Sequence, residues 1–319
     1  MSPPRPAAQL PVPQLSTTLI TFGDQPPSWE RILATAQAAD RAGIDRLLVS
    51  DHLAFGEQLD DYGRPELGGT AGGRQPTGPD GHWLEPLTVL AGVAAVTDRI
   101  RLGTNILLAA LRNPLSLAKT LATLDVISNG RVDLGVGVGW QRAEYDAAGV
   151  SFEGRGPQLD HTLAVMATLW QDGVAEFEDD LLSFERIHTM PKPVQPGGVP
   201  VWVGGSVNRR VARRIARFGA GWIPWGESAD DVGRSIPRMR ALVESEGGDF
   251  DGVQVASSIR RITSGSGMVD LDATMAQVHP LVEAGVTDIR LMLSAHGGAD
   301  IIEECHREVV QAFRDVTGS

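Results

Sequence analysis

A single cysteine in 319 residues, Cys305, excludes an intramolecular disulfide framework and any zinc site built from several cysteines. A reducing cytoplasm fits that usage best. No stretch approaches the ~20 consecutive apolar residues of a membrane-spanning helix. Residues 1–13, rich in proline and alanine, lack the basic head and apolar core of a signal peptide and read as a loose tail. Positive charge is in the minority, with 28 Lys and Arg against 40 Asp and Glu and a net charge of −12. That balance argues against general affinity for nucleic acid or an anionic membrane, while a local basic patch for a phosphate stays open.

Several catalytic signatures are missing too. There is no G-x-S-x-G elbow to present a serine nucleophile and no Walker motif. His82, His161, His188, His279, His296 and His306 show no paired ligand spacing, which argues against a metal-dependent hydrolase, and no metal is expected. The dinucleotide fingerprint fails at its third position, because after Gly137 and Gly139 the next required glycine falls on Arg142.

What is present is an alternation of short apolar runs and longer amphipathic segments in a chain of ordinary globular composition, 42% hydrophobic and 21% charged. Strands are predicted at 15–22, 46–50, 100–107, 132–138, 200–204, 221–224, 253–262 and 288–293, most of them nearly continuous in Val, Ile and Leu, as in a parallel sheet covered on both faces. Helices are predicted at 28–42, 86–97, 114–128, 158–171, 208–218, 229–246, 271–284 and 299–316. Ser28 and Asn113–Pro114 read as helix starts. Gly43, Gly130, Gly219 and Gly285 read as left-handed stops. Eight strands each leading to a helix predict a single (β/α)8 barrel over 14–319, with a doubly wound open sheet as the alternative. Insertions near 53–83 and 174–198 interrupt the alternation. The first reads as a lid or wall and the second as a hairpin followed by a linker, unless both are surface decoration.

In such a barrel the chemistry sits at the C-terminal ends of the strands. Asp51 and His52 end the second strand, where they serve proton transfer or merely cap and pack. Thr104, Asn105 and Ile106 end the third. The fourth ends in Gly137, Val138, Gly139 and Trp140, followed by Glu144 and Tyr145, and the fifth in Gly204, Gly205 and Ser206, followed by Arg209 and Arg210. Two glycine clusters at neighbouring strand ends, one opening a helix, point to bare amides around a bound phosphate.

These segments, DHL at 51–53, RIRLGTNILLAALRNPLSLAKTLATLD, SNGRVDLGVGVGW and PVWVGGS followed by RRIARFGAGWIPW, resemble the luciferase-like monooxygenase superfamily, and within it the oxidoreductases that use the deazaflavin coenzyme F420. The resemblance covers nearly the whole chain from Leu15 to Val316. It implies a (β/α)8 barrel, usually a homodimer, with the cofactor ring across the strand ends. Carried over, Gly137, Val138, Gly139, Gly204, Gly205 and Ser206 hold the phosphate, Thr104, Asn105, Ile106 and Trp140 line the ring site, and a cis peptide at Asn105–Ile106 backs the ring. His52 transfers a proton to the substrate and Asp51 orients it. The implied reaction is hydride transfer to or from a small organic molecule. The alternatives are a reduced-FMN-dependent monooxygenase and a non-catalytic flavin-binding protein. One departure stands out: sugar-phosphate dehydrogenases of this family carry a glutamate directly after the Gly-x-Gly, where this chain has Trp140. With Trp83 and Trp225, Trp140 points instead to a flat apolar substrate.

Overall fold

The computed structural model describes residues 12–171, 173–263, 269–293 and 297–318, so most of the predicted tail and His296 lie outside the described residues. Eight parallel strands close a barrel in sequential order: β1 (Gln14–Thr18), β2 (Arg46–Val49), β3 (Arg101–Thr104), β4 (Val132–Val136), β5 (Val201–Gly205), β6 (Gly219–Pro224), β7 (Gln254–Ser258) and β8 (Asp288–Arg290). Closure comes from Gln14 pairing with Asp288 and Ser16 with Arg46, so β1 bonds to β8 on one side and β2 on the other. The open-sheet alternative is thereby excluded. Helices follow the strands, and their starts are chemical: the Ser28 hydroxyl accepts from the Arg31 amide at 3.3 Å and the Asn113 side chain from the Ser116 amide at 3.0 Å. Among the described residues no helix is long and apolar enough to cross a membrane.

Two sequence expectations need correction. Gly43, Gly130 and Gly285 do take left-handed backbone, but Gly219 does not; at φ −82° it is already the first residue of β6. A Cβ there would lie 2.8 Å from the Ile215 Cα, so glycine is needed because the chain turns from helix Arg209–Phe218 into the strand without a spacer. The helix predicted at 271–284 is two pieces, Leu271–Met275 and Val278–Glu283. Pro280 accounts for the break, having no amide to bond the Ala276 carbonyl and a ring that crowds it.

The barrel interior is not simply aliphatic. Buried Arg46 donates to Asp133 at 2.8 Å, to Asp288 at 2.7 Å and to Gln14 at 2.9 Å, and its guanidinium lies 4.7 Å from the centre of the Trp202 ring. Arg101 adds a two-point contact to Asp133, at 2.6 and 2.7 Å, and Arg290 bonds Asp288 at 2.9 Å. Burial opposes the charge of Arg46, but Asp288 and Asp133 more than offset it and hold the guanidinium above its ordinary value. Burial likewise pushes Asp133 up, and Arg46 and Arg101 outweigh it, leaving the carboxyl below its ordinary value. A charged, fully bonded floor therefore lies beneath the C-terminal rim.

The predicted insertions sit where the alternation breaks. The 53–83 segment contains two short 3-10 turns, Leu59–Gly63 and Pro65–Leu67, and returns through His82–Trp83, which pairs antiparallel with Phe22–Gly23. Strands Ala175–Glu178 and Ser183–Ile187 form the second, a hairpin tied to helix Arg155–Gln171 by His161 and Asp179 at 2.5 Å.

Candidate active site

Because β4 and β5 pair with Val136 opposite Val203, the segment 137–140 and the end of β5 at 204–206 stand at one level of the rim. The Gly137 amide is engaged by the Leu107 carbonyl at 3.3 Å. Among the described residues the amides of Val138, Gly139 and Ser206 have no acceptor in the chain. Gly139 (φ +67°) is held tightly, since a Cβ there would lie 2.8 Å from Leu108 Cδ2. Gly205 (φ +150°) is also in backbone that L side chains rarely adopt, and its Cβ would lie 2.7 Å from Val211 Cγ2. The buried Tyr145 hydroxyl donates to the Val138 carbonyl at 2.7 Å, fixing the first segment, and burial pushes that phenol well above its usual range.

Beyond β5, Asn208 caps helix Arg209–Phe218, accepting from the Val211 amide at 3.0 Å and donating to the Ser206 carbonyl at 2.9 Å. The Ser206 hydroxyl is committed to the Trp225 carbonyl at 3.0 Å, and Arg209 and Arg213 both turn to Glu246. Free amides on a glycine backbone beside a helix start suit a phosphate. These residues fit the phosphate end of a flavin-type cofactor through backbone amides.

The rim at the end of β3, on the other side of β4, is well packed. Thr104 donates to the Gly135 carbonyl at 2.7 Å, the Asn105–Ile106 bond is cis as the resemblance implied, and Ile106 packs on Trp202, Ile223 and Ala256. The Asn105 side-chain oxygen accepts from Arg290 Nη1 at 2.7 Å, so a residue expected at the ring is tied directly to the charged floor.

Asp51 and His52, adjacent in sequence, have separate partners. The Asp51 carboxylate is buried and accepts from the Leu108 amide at 2.8 Å and from Arg112 at 2.6 and 3.0 Å. Burial opposes the Arg112 charge, while Asp51 and Glu85 more than offset it and hold that guanidinium above its usual value. The expectation that Asp51 orients His52 is corrected here: Asp51 is committed to the loop after β3, and the carboxylate on His52 is Glu144. His52 Nδ1 lies 3.2 Å from Glu144 Oε2, and Nε2 lies 3.4 Å from the Gln75 amide nitrogen. Rings surround the imidazole, with centroids at 4.4 Å for Phe55, 4.9 Å for Trp83 and 5.9 Å for Trp140. Trp140, largely buried, also meets Tyr62 at 5.3 Å.

The 53–83 segment is fastened over this cluster. Leu53 N donates to Glu144 at 2.6 Å, Gly56 N to Gln141 at 3.0 Å, Arg155 to the Leu67 carbonyl at 3.1 Å, and Trp225 Nε1 to the Gly68 and Gly69 carbonyls, each at 3.1 Å. Trp83 stacks on Phe22 at 4.2 Å. Of the three tryptophans singled out from sequence, Trp83 and Trp140 both border His52. Trp225 works from the far side as a latch. Glu144, Gln75, Arg112 and Arg290 carried no assigned role in the sequence reading.

A family model described as luciferase-like monooxygenase matches residues 13–285. The chain is 39% identical over 147 residues to an uncharacterized Mycobacterium tuberculosis protein, Rv0953c, a stretch covering 46% of this chain; it spans about half, 52%, of that relative's length. Over 218 residues it is 28% identical to an F420-dependent glucose-6-phosphate dehydrogenase of Kineococcus radiotolerans, covering 66% of this chain and 58% of the relative. The fold is similar to that of the monooxygenase RslO1 from Streptomyces bottropensis, with a TM-score of 0.72 at 19% identity over 95% of this chain and 99% of that one.

Proposed function

Because the chain belongs to the luciferase-like monooxygenase family, we propose that it is an oxidoreductase that binds coenzyme F420 across the C-terminal rim of the barrel and moves a hydride between it and a small organic substrate. The observation that carries this reading is the pair of adjacent strand ends whose Val138, Gly139 and Ser206 amides have no acceptor among the described residues. Similarity to an F420-dependent dehydrogenase is the support for the deazaflavin. The cofactor supplies a two-electron hydride acceptor or donor; the protein supplies position, exclusion of water and a proton route.

Val138, Gly139, Gly204, Gly205 and Ser206 hold the phosphate through backbone, and Asn105 and Ile106 support the ring. His52 exchanges a proton with the substrate beside the transferred hydride. The aromatic surround of Phe55, Trp83 and Trp140 favours a substrate with a flat apolar body. Trp140 offers no carboxyl at the place where sugar-phosphate dehydrogenases of the family carry one, so the proposed substrate is not a sugar phosphate. A reduced-FMN monooxygenase is the second reading, favoured by the family's description and by the fold shared with RslO1.

The cradle is tested by Gly205→Val. The new side chain meets Val211 at the start of the next helix and is strained at φ +150°. The expected outcome is a loss of F420 affinity of about 30-fold, from ~2 kcal/mol of local strain and displacement, read by fluorescence titration with circular dichroism unchanged. Parental affinity contradicts the cradle.

A cytoplasmic homodimer completes the proposal. Helix Pro114–Ile127 exposes Leu115, Val126 and Ile127 on its outer surface, with Met190 and Val194 exposed on the neighbouring segment that Lys119 and Asp125 bond. Sedimentation at micromolar concentration is expected to return twice the chain mass, and Ile127→Glu half of that. A monomeric parent overturns the assembly.

A further inference from the structure

We propose that Glu144 is the positioning residue for His52, holding its imidazole in the tautomer with the proton on Nδ1 and leaving Nε2 as the nitrogen that exchanges a proton, with Gln75 of the 53–83 segment lying over that nitrogen. This rests on the reading of His52 as the proton-transfer group. Glu144 is reached from another part of the chain, 92 residues on, and stands on the short helix Arg142–Ala147.

Both oxygens of Glu144 are spoken for, and its side chain is 1% exposed. One oxygen takes the Leu53 amide at 2.6 Å and the other faces His52 Nδ1 at 3.2 Å, so a single carboxylate grips a side chain and the next backbone amide. An ionised carboxylate only accepts. Facing it, Nδ1 carries the hydrogen, and in the neutral imidazole the lone pair falls on Nε2. The opposite contact agrees, since the Gln75 amide nitrogen, a donor, lies 3.4 Å from Nε2.

The remaining surroundings leave that choice to Glu144. Phe55, Trp83 and Trp140 present rings to the imidazole. Asp51, the other nearby carboxylate, is turned to Arg112 and the Leu108 amide. No positive side chain bonds Glu144 among the described residues, so its hydrogen bonds go to the two groups that set His52.

Glu144→Gln separates positioning from packing. Glutamine keeps the length and an oxygen for the Leu53 amide, but presents an NH2 group to Nδ1. Nδ1 then has to accept, the proton moves to Nε2, and the Gln75 amide turns to present its oxygen there. The test is nitrogen-15 NMR of histidine-labelled protein without cofactor, where the shifts of the two ring nitrogens report the tautomer. The expected result is the Nδ1–H form in the parent and the Nε2–H form in Glu144→Gln, with kcat lowered about 100- to 10,000-fold and KM little changed. A parent in the Nε2–H form, or a variant whose tautomer equals the parent's, overturns the proposal. A tautomer that switches while kcat stays parental upholds the positioning of His52 and instead removes His52 from the proton transfer. Should Glu144→Gln not fold, the parent spectrum alone decides.

Discussion

His52→Ala is expected to lower kcat by about 100- to 10,000-fold, the span that a positioned acid–base group contributes, while F420 affinity changes by no more than about 3-fold. The asymmetry follows from where the residue stands. His52 is held by Glu144 and by rings of the 53–83 segment, whereas the amides assigned to the phosphate come from segments after β4 and β5. Truncation to alanine also removes ring contacts with Phe55 and Trp83, so His52→Gln, which keeps more of the bulk, is the companion variant. Both are expected to lose turnover. Equal losses in cofactor affinity and turnover make His52 a binding residue. Steady-state kinetics on a substrate that the parent turns over, beside fluorescence titration of the cofactor, separates the two.

The second large effect concerns stability. Arg46→Met is expected to destabilise the fold by about 3–5 kcal/mol, because it strips two buried carboxylates of a shared partner. Asp133 keeps Arg101 and Asp288 keeps Arg290, but the bonds at 2.8 and 2.7 Å and the contact with the Trp202 ring are lost. The pH dependence has a definite sign. Asp133 is held below its ordinary value in the folded state, so its contribution is present above the unfolded carboxyl value near 4 and is lost as pH falls through the folded value. Arg46→Met raises the folded value, so acid unfolding begins at higher pH in the variant. Denaturant titrations at pH 7 and across the acid range measure both. A variant within about 1 kcal/mol of the parent shows that the floor is not held by this guanidinium.

The barrel was legible because its elements follow local rules. Apolar runs such as RLLV and VWVGG alternate with capped helices, and, apart from the closure of β1 on β8, each strand pairs with its sequence neighbour. That Asp51, His52 and the glycines at 137, 139, 204 and 205 stand at C-terminal strand ends was legible because the strands themselves were. Their partners were not. Adjacency in sequence favours Asp51 as the partner of His52, but both lie past the end of β2, where strand alternation no longer sets direction, and Glu144 comes from 92 residues on with no local trace. Asp288 and Arg290 are two residues apart and share a face, and Arg46 and Asp133 are charges inside otherwise apolar strands, which marks them as partnered in the barrel interior. Which charge meets which is set by closure across as many as 242 residues and has no local trace.

The pieces join in one line. The charged floor bonds Asn105 through Arg290, β4 and β5 bring the unbonded amides of Val138, Gly139 and Ser206 to one level, and the fastened 53–83 segment brings Gln75 and Trp83 against His52. In the proposed function this rim takes a deazaflavin. The most direct measurement is titration of the purified protein with coenzyme F420 and, separately, with oxidised and anaerobically reduced FMN, following ring fluorescence or absorbance. Saturable binding of F420 with weaker or no binding of either FMN form is the predicted result; binding of reduced FMN alone contradicts it and moves the protein to oxygen-using chemistry.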